Sequence, residues 1–296
     1  MATPPDTAVG IDVGGTRIRA GRIARDGTLS AHVIEPVRTD RPGFTEQVLR
    51  LIAETRDATS AAVGIGIPGR VDPVSGVIRS AGYLDLADFD LGRRVADETG
   101  LPVRVENDAT MALLAEAHAR PEGSDGVMLI MTVGTGIGGA VLVDGAPWHG
   151  GGISGQFGHV VVSAEGEPCN CWRVGCVETF SSGTALGRLI AEAGLAAPAE
   201  AGDILSAAEA GDAASRAMLE RWASPFRRAL ETLVAVLDPG TIIVGGGLGR
   251  DMVRALGLLP PPSGWFGLPV EAARLGDHAG VIGAGLAALP RVGSSE

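Results

Sequence analysis

Lysine is missing altogether: the 24 basic residues of this 296-residue chain are all arginine. That excludes a P-loop, whose glycines must be followed by Lys. It also excludes a Schiff-base lysine, and with it a pyridoxal phosphate enzyme, as well as the strand lysine of protein kinases. Any phosphate bound here falls to backbone amides, Arg and a metal ion. Long apolar runs are missing too. No stretch reaches 18 apolar residues, so no membrane partner is expected. The N-terminal MATPPDTAVGIDV has no basic segment followed by an apolar one, so no secretory signal is expected, and the location is expected to be cytoplasmic. Surplus positive charge is absent as well. A net charge of −11 and a pI near 5.0 speak against a broad basic surface for nucleic acid.

What is present is a globular composition, 45% hydrophobic and 20% charged, long enough for about two domains. Glycine is abundant at 45 residues, which points to tight turns and close backbone approaches. Residues 8–13 form a first apolar strand, followed by a Gly turn and an alternating strand that ends at Asp26-Gly27. Residues 44–55 have helical spacing, 61–69 read as a buried strand ended by Pro-Gly, and 101–105 as a short strand. Residues 108–119 and 212–237 read as helices, 241–247 as a third buried strand, and 278–289 as a terminal helix. The segment from Val127 repeats the N-terminal pattern of strand, Gly turn, alternating strand and Asp-Gly turn. A shift of 120 residues matches Val13 and Gly14 to Val133 and Gly134, and Ala20 to Ala140. Strands alternating with helices make the chain α/β with partly parallel sheets, and residues 118–126 form the hinge candidate.

Three strands run into Gly turns: Gly14-Gly15-Thr16, Gly134-Thr135-Gly136 and Gly245-Gly246-Gly247. Such turns let backbone N–H groups converge on one anion, and the hydroxyls of Thr16, Thr132 and Thr135 add donors. Asp12, just before the first turn, suits Mg²⁺ held through water. The bland alternative is three β-turns in a Gly-rich chain, which repetition makes the poorer account. All three cysteines, Cys169, Cys171 and Cys176, fall within eight residues, and His159 precedes them by ten. Three Cys and one His complete a tetrahedral structural zinc set, and an odd, clustered thiol count argues against disulfides. Buried free thiols are the alternative. His32, His118, His149 and His278 read as ordinary residues. Asp108, in VEND at a strand-to-helix junction, is either a general base or, with Asn107, a helix cap. Glu106 receives no role.

DVGGT, GIPG, END, GTGIGG and GH followed by a Cys cluster occur in this order, and the chain resembles the ROK family, in particular its bacterial glucokinase-like sugar kinases. The resemblance covers about residues 8–290. It implies an α/β, two-lobed actin-like/hexokinase-like fold (a duplicated ribonuclease H-like unit) with a cleft between lobes. Residues 1–118 would form the small N-terminal lobe, completed by a C-terminal helix at about 280–296. Residues 119–279 would form the large lobe with the zinc loop. The implied activity is ATP-dependent phosphorylation of a hexose at its 6-hydroxyl, with Mg²⁺ and a structural zinc, in a homodimer or homotetramer. Asp108 would be the catalytic base. Gly69, Asn107, Gln156, His159 and Glu178 would meet the sugar, Thr16 and Arg17 would lie near the phosphates, and His159 would also serve the zinc. Gln156 stands where the family usually has Glu, and Trp172 where its zinc motif usually has Gly. The family also contains sugar-sensing regulators, but strand one begins at Ala8 and leaves no room for their DNA-binding domain. A catalytically silent sugar-binding protein is the other alternative, and intact Asp108 argues against it.

Overall fold

In a computed structural model, residues 6–120, 126–194, 200–262, 267 and 269–290 are described. Residues 121–125 of the expected hinge, and 291–296 of the expected terminal segment, lie outside them. In chain order the first strands are β1 (Thr7–Val13), β2 (Arg17–Ala24), β3 (Leu29–Pro36), β4 (Ser60–Ile67), β5 (Arg70–Val71), β6 (Ile78–Ser80) and β7 (Val103–Asn107). Helices α1 (Arg41–Thr55), α2 (Leu91–Thr99) and α3 (Asp108–His118) lie among and after them. Next come β8 (Val127–Val133), β9 (Ile137–Val143), β10 (Ala146–Pro147), α4 (Glu178–Ser181), α5 (Gly183–Glu192), α6 (Ala201–Glu209) and α7 (Ala213–Leu237). Then follow β11 (Thr241–Gly245), α8 (Gly249–Gly257), β12 (Val270–Ala272) and α9 (Ala279–Ala288).

The described residues within Met1–Pro121, His149–Ile153 and Asp277–Glu296 form one compact unit, and those within Glu122–Trp148 and Ser154–Gly276 a second. The first unit contains the sheet β3-β2-β1-β4-β7, the second the sheet β10-β9-β8-β11-β12. In both, the leading strand pairs antiparallel with the second and parallel with the fourth in sheet order, and the last two strands are parallel. The duplication expected from the two Gly turns is therefore present in strand order and direction. Its register needs one correction. Val13 pairs with Ile18 across four intervening residues, whereas Val133 pairs with Ile137 across three. The first turn is one residue longer, so Ala20 corresponds to Gly139 and not to Ala140.

In the first unit, α1 presents Phe44, Val48, Leu51 and Ile52 to a core containing Ile11, Ile18 and Ile65. This is the i, i+4, i+7, i+8 face of an amphipathic helix, and each side chain contributes about 1.5–3 kcal/mol by burial. Asp40 caps α1 by accepting the Gly43 N–H at 2.8 Å. The second unit has its own core, in which Trp222 and Phe226 of α7 lie against Leu129, Met131 and Val244.

Helix α9 is apolar on every side because it is covered by the first sheet and α3. Its backbone lies so near the sheet that a Cβ at Gly64 would overlap the Ala284 carbonyl, a main-chain group that cannot swing away. Gly64→Ala is therefore expected to lower stability by about 3 kcal/mol or more, read as a lower denaturant midpoint at unchanged slope. A midpoint within error of wild type would refute this packing.

Candidate active site

Parallel pairing brings the carboxyl ends of β1, β4 and β7 side by side: Asp12 is level with Gly66, Gly66 with Glu106, and Ile67 with Asn107. Strand ends of this kind are where ligands gather in α/β sheets. Asp12 and Asp108 both arrive here within the first unit. Burial, together with the nearby Asp108 carboxylate, pushes Asp12 up to about 7, and Asp277 adds to the effect while Arg19 opposes it. Burial also raises Asp108 above the ordinary carboxylate range, against hydrogen bonds that favour its charged form. Two partly buried carboxylates in this relation favour a cation between or beside them.

Arg19, which the sequence reading passed over, pairs with Asp12 across the β1–β2 ladder. Its guanidinium is 3.7 Å from Asp12 Oδ2 and 3.0 Å from Asp277 Oδ2, and its buried Nε has no hydrogen-bond partner. The first Gly turn is closed by the Gly14 N–H donating to the Arg17 carbonyl at 2.9 Å, and Gly15, Thr16 and Arg17 are exposed along it.

Asn107 is the cap of α3, accepting the Thr110 N–H at Oδ1. Its Nδ2 donates to the Gly69 carbonyl at 2.9 Å and to Asp108 Oδ1 at 3.0 Å. Asp108 Oδ1 also accepts the Ala109 N–H at 2.8 Å. The capping role is thus Asn107's, while Asp108 retains an Oδ2 that makes no hydrogen bond among the described residues. Gly69, at φ +100, makes the bend that brings its carbonyl to Asn107.

Two residues set aside in the sequence reading meet behind this pair. Buried Glu106 lies 2.7 Å from His149 Nε2 through Oε2, and its Oε1 accepts the Asn107 N–H at 2.9 Å. The rings of His32 and His278 meet edge to face at 5.0 Å.

In the second unit, β8 and β11 lie parallel with Thr132 level with Gly245, so the second and third Gly turns are neighbours. The Gly134 N–H donates to the Gly136 carbonyl at 2.9 Å, and the Leu248 N–H, just past Gly245-Gly246-Gly247, donates to the Val133 carbonyl at 2.9 Å. Glu178, expected at the sugar, opens α4 and accepts the Ile137 N–H through Oε2 at 2.8 Å. A Cβ at Gly136 would stand 2.5 Å from that same oxygen, so a larger residue there would push the Glu178 carboxylate off the Ile137 N–H. Gln156 precedes the short helical turn Phe157–His159 and is half-buried.

The four sulfur and nitrogen residues converge. One ligand atom each from His159, Cys169, Cys171 and Cys176 lies within 4.8 Å of all the others. His159 Nδ1 is 3.4 Å from Cys169 Sγ, and Cys171 Sγ is 3.4 Å from Cys176 Sγ. Burial pushes the Cys176 thiol up to about 12. Burial acts the same way on Cys171, but hydrogen bonds from Arg173 and the other two thiols outweigh it and bring that group down to about 6. Trp172 sits between the ligands at φ +68 and is 96% exposed, a left-handed conformation that explains why a glycine suits this position.

A duplicated five-stranded sheet, with a Gly turn joining the first two strands of each copy, defines the actin-like, hexokinase-like fold class. Within it the chain belongs to the ROK family, whose sequence model matches residues 8–290. It is 31% identical to a glucokinase of Halalkalibacterium halodurans, over 94% of this chain and 93% of that protein. It is 30% identical to an N-acetylmannosamine kinase of Salmonella typhi, over 95% and 98% respectively. Among solved structures it resembles a ROK family glucokinase from Streptomyces griseus in complex with glucose and AMPPNP, with a TM-score of 0.80, 28% identity, and coverage of 95% of this chain and 99% of that one. Among the described residues no helix is long and apolar enough to cross a membrane.

Proposed function

We propose that the protein is an ATP-dependent hexose kinase acting on the sugar's 6-hydroxyl, with glucose or a related amino or acylamino hexose as acceptor. The observation that carries this reading is Asp108: a partly buried carboxylate anchored at Oδ1, with Oδ2 uncommitted, in the same unit as Asp12 and the first Gly turn. The glucokinases and N-acetylmannosamine kinases among its relatives support it.

In this reading Asp108, deprotonated, accepts the 6-hydroxyl proton as the new O–P bond forms and the bond to the ADP oxygen breaks. In the first unit the Gly15 amide, the Thr16 hydroxyl and Arg17 bind phosphate oxygens, with the Gly14 amide closing the turn onto the Arg17 carbonyl and the Arg19 guanidinium adding positive field. In the second unit Thr132, Thr135 and Gly136, on the turn that the Gly134 amide closes, and then Gly245, Gly246 and Gly247, bind the nucleotide. Mg²⁺ fits Asp12, since a carboxylate raised to about 7 by burial and a second acid gains from a cation. Bound there through water, the ion would neutralise phosphate charge. For the sugar, the first unit offers Gly69 and Asn107, and the second offers Gln156, His159 and Glu178. His159 Nδ1 and Glu178 Oε2 are already committed, which leaves His159 Nε2 and Glu178 Oε1 for this task.

The cluster of His159, Cys169, Cys171 and Cys176 fits structural zinc. Tetrahedral zinc with sulfur at about 2.3 Å separates its ligands by roughly 3.5–4 Å, close to the spacing found. One thiol near 6 can supply the first thiolate, and metal would displace protons from the others.

The test is a panel of glucose, mannose and their amino and acylamino derivatives with Mg-ATP, following ADP release and then the phosphorylated position by NMR. At least one sugar is expected to release ADP in equal amount to a 6-phosphate product. No release above the sugar-free control for any of them would overturn the reading.

A further inference from the structure

A Gly turn binds phosphate only while its N–H groups face the ligand, and something must fix that orientation. In a planar trans peptide the carbonyl of one residue and the N–H of the next point in opposite directions. Holding the carbonyl therefore aims the following N–H the other way. The second turn is held in this manner twice. The Gly134 carbonyl accepts the Gly183 N–H at 2.7 Å, which aims the Thr135 N–H, and the Thr135 carbonyl accepts the Thr184 hydroxyl at 2.8 Å, which aims the Gly136 N–H.

In the first turn the corresponding bond comes from one side chain. The hydroxyl of Tyr83, the sole tyrosine of the chain, donates to the Gly14 carbonyl. Its ring is 47% exposed, yet its backbone is anchored, since Ala81 and Leu84 on either side are buried and the Leu84 N–H donates to the Ala81 carbonyl at 3.0 Å. Burial and the charges of Asp108 and Asp12 push the phenol up to about 12, so it remains a donor throughout the working pH range. We infer that Tyr83 is a positioning residue for the phosphoryl donor: by holding the Gly14 carbonyl it presets the Gly15 N–H toward the terminal phosphates of a nucleoside triphosphate. This rests on the kinase reading for the identity of the ligand.

The test compares wild type with Tyr83→Phe by calorimetry, using the Mg²⁺ complex of a nonhydrolysable ATP analogue, AMP alone, and glucose. The variant loses one oxygen from a half-exposed ring, and an unchanged melting temperature verifies its fold. One neutral hydrogen bond corresponds to about a 5-fold change. Triphosphate affinity is expected to fall about 5-fold, while AMP and glucose affinities stay within 2-fold. Equal triphosphate affinity in the two proteins, or an equal loss for AMP, would overturn the assignment. If wild type binds the triphosphate analogue but phosphorylates no sugar, the kinase reading falls while the comparison still decides the role of Tyr83. If wild type binds no triphosphate, both fall.

Discussion

Asp108→Asn is expected to lower kcat by at least about 100-fold, the usual worth of a general base, while sugar affinity changes by no more than a few fold. The substitution preserves what holds the residue in place. Oδ1 accepts the Ala109 N–H and the Asn107 amide, and an Asn side chain keeps an oxygen for both. What disappears is a carboxylate able to take a proton. The pH profile supplies a second readout. Burial raises the Asp108 pKa, favouring the protonated and inactive form, so wild-type kcat/KM should climb as pH rises through that raised value and level off above it. The climb should begin at a higher pH than an ordinary carboxylate would give, and it should vanish in the variant. Turnover within a few fold of wild type, or an acid limb that survives the substitution, would remove Asp108 from the chemistry.

Elements whose cause is local were readable in the amino-acid order. The Gly turns after β1, β8 and β11 are announced by clustered glycines at the end of apolar strands, and α7 by a long apolar stripe that ends at Asp238, in a left-handed conformation at φ +44. The cysteine cluster is equally local, with all four ligands inside 18 residues. By contrast α2 buries only Leu91 and Val95, too few for a periodic signal, and β12 is a three-residue strand defined only by its pairing with β11. The site partners that went unread are distant in sequence. Glu106 meets His149 across 43 residues and Tyr83 meets Gly14 across 69, and only the folded sheet brings them together. The one-residue difference between the first two Gly turns was also hidden, because both begin with Val-Gly and the extra residue alters strand pairing without altering the motif.

The metal should be the most severe single loss in the second unit. Freshly purified protein is expected to contain one zinc per chain, and Cys171→Ser to contain less than a tenth of that. Cys176 lies two residues before Glu178, so the cluster fixes the start of α4. Through Oε2, Glu178 in turn holds the Ile137 N–H, which follows directly on the second Gly turn. Losing the metal would therefore release a chain of positions running from the Cys cluster to the second Gly turn, and in Cys171→Ser would leave two thiols with no shared partner. Substitutions around metal sites commonly cost 10- to 100-fold, so kcat/KM should fall by about 10-fold or more, with higher KM for both sugar and ATP. Thermal stability should fall as well, because binding energy that depends on folded geometry is folding energy. A chelator should lower the wild-type melting temperature toward that of Cys171→Ser, and should not lower the variant's further. Elemental analysis that finds no stoichiometric zinc, or a variant that matches wild type in stability and in both KM values, would count against the cluster as a metal site.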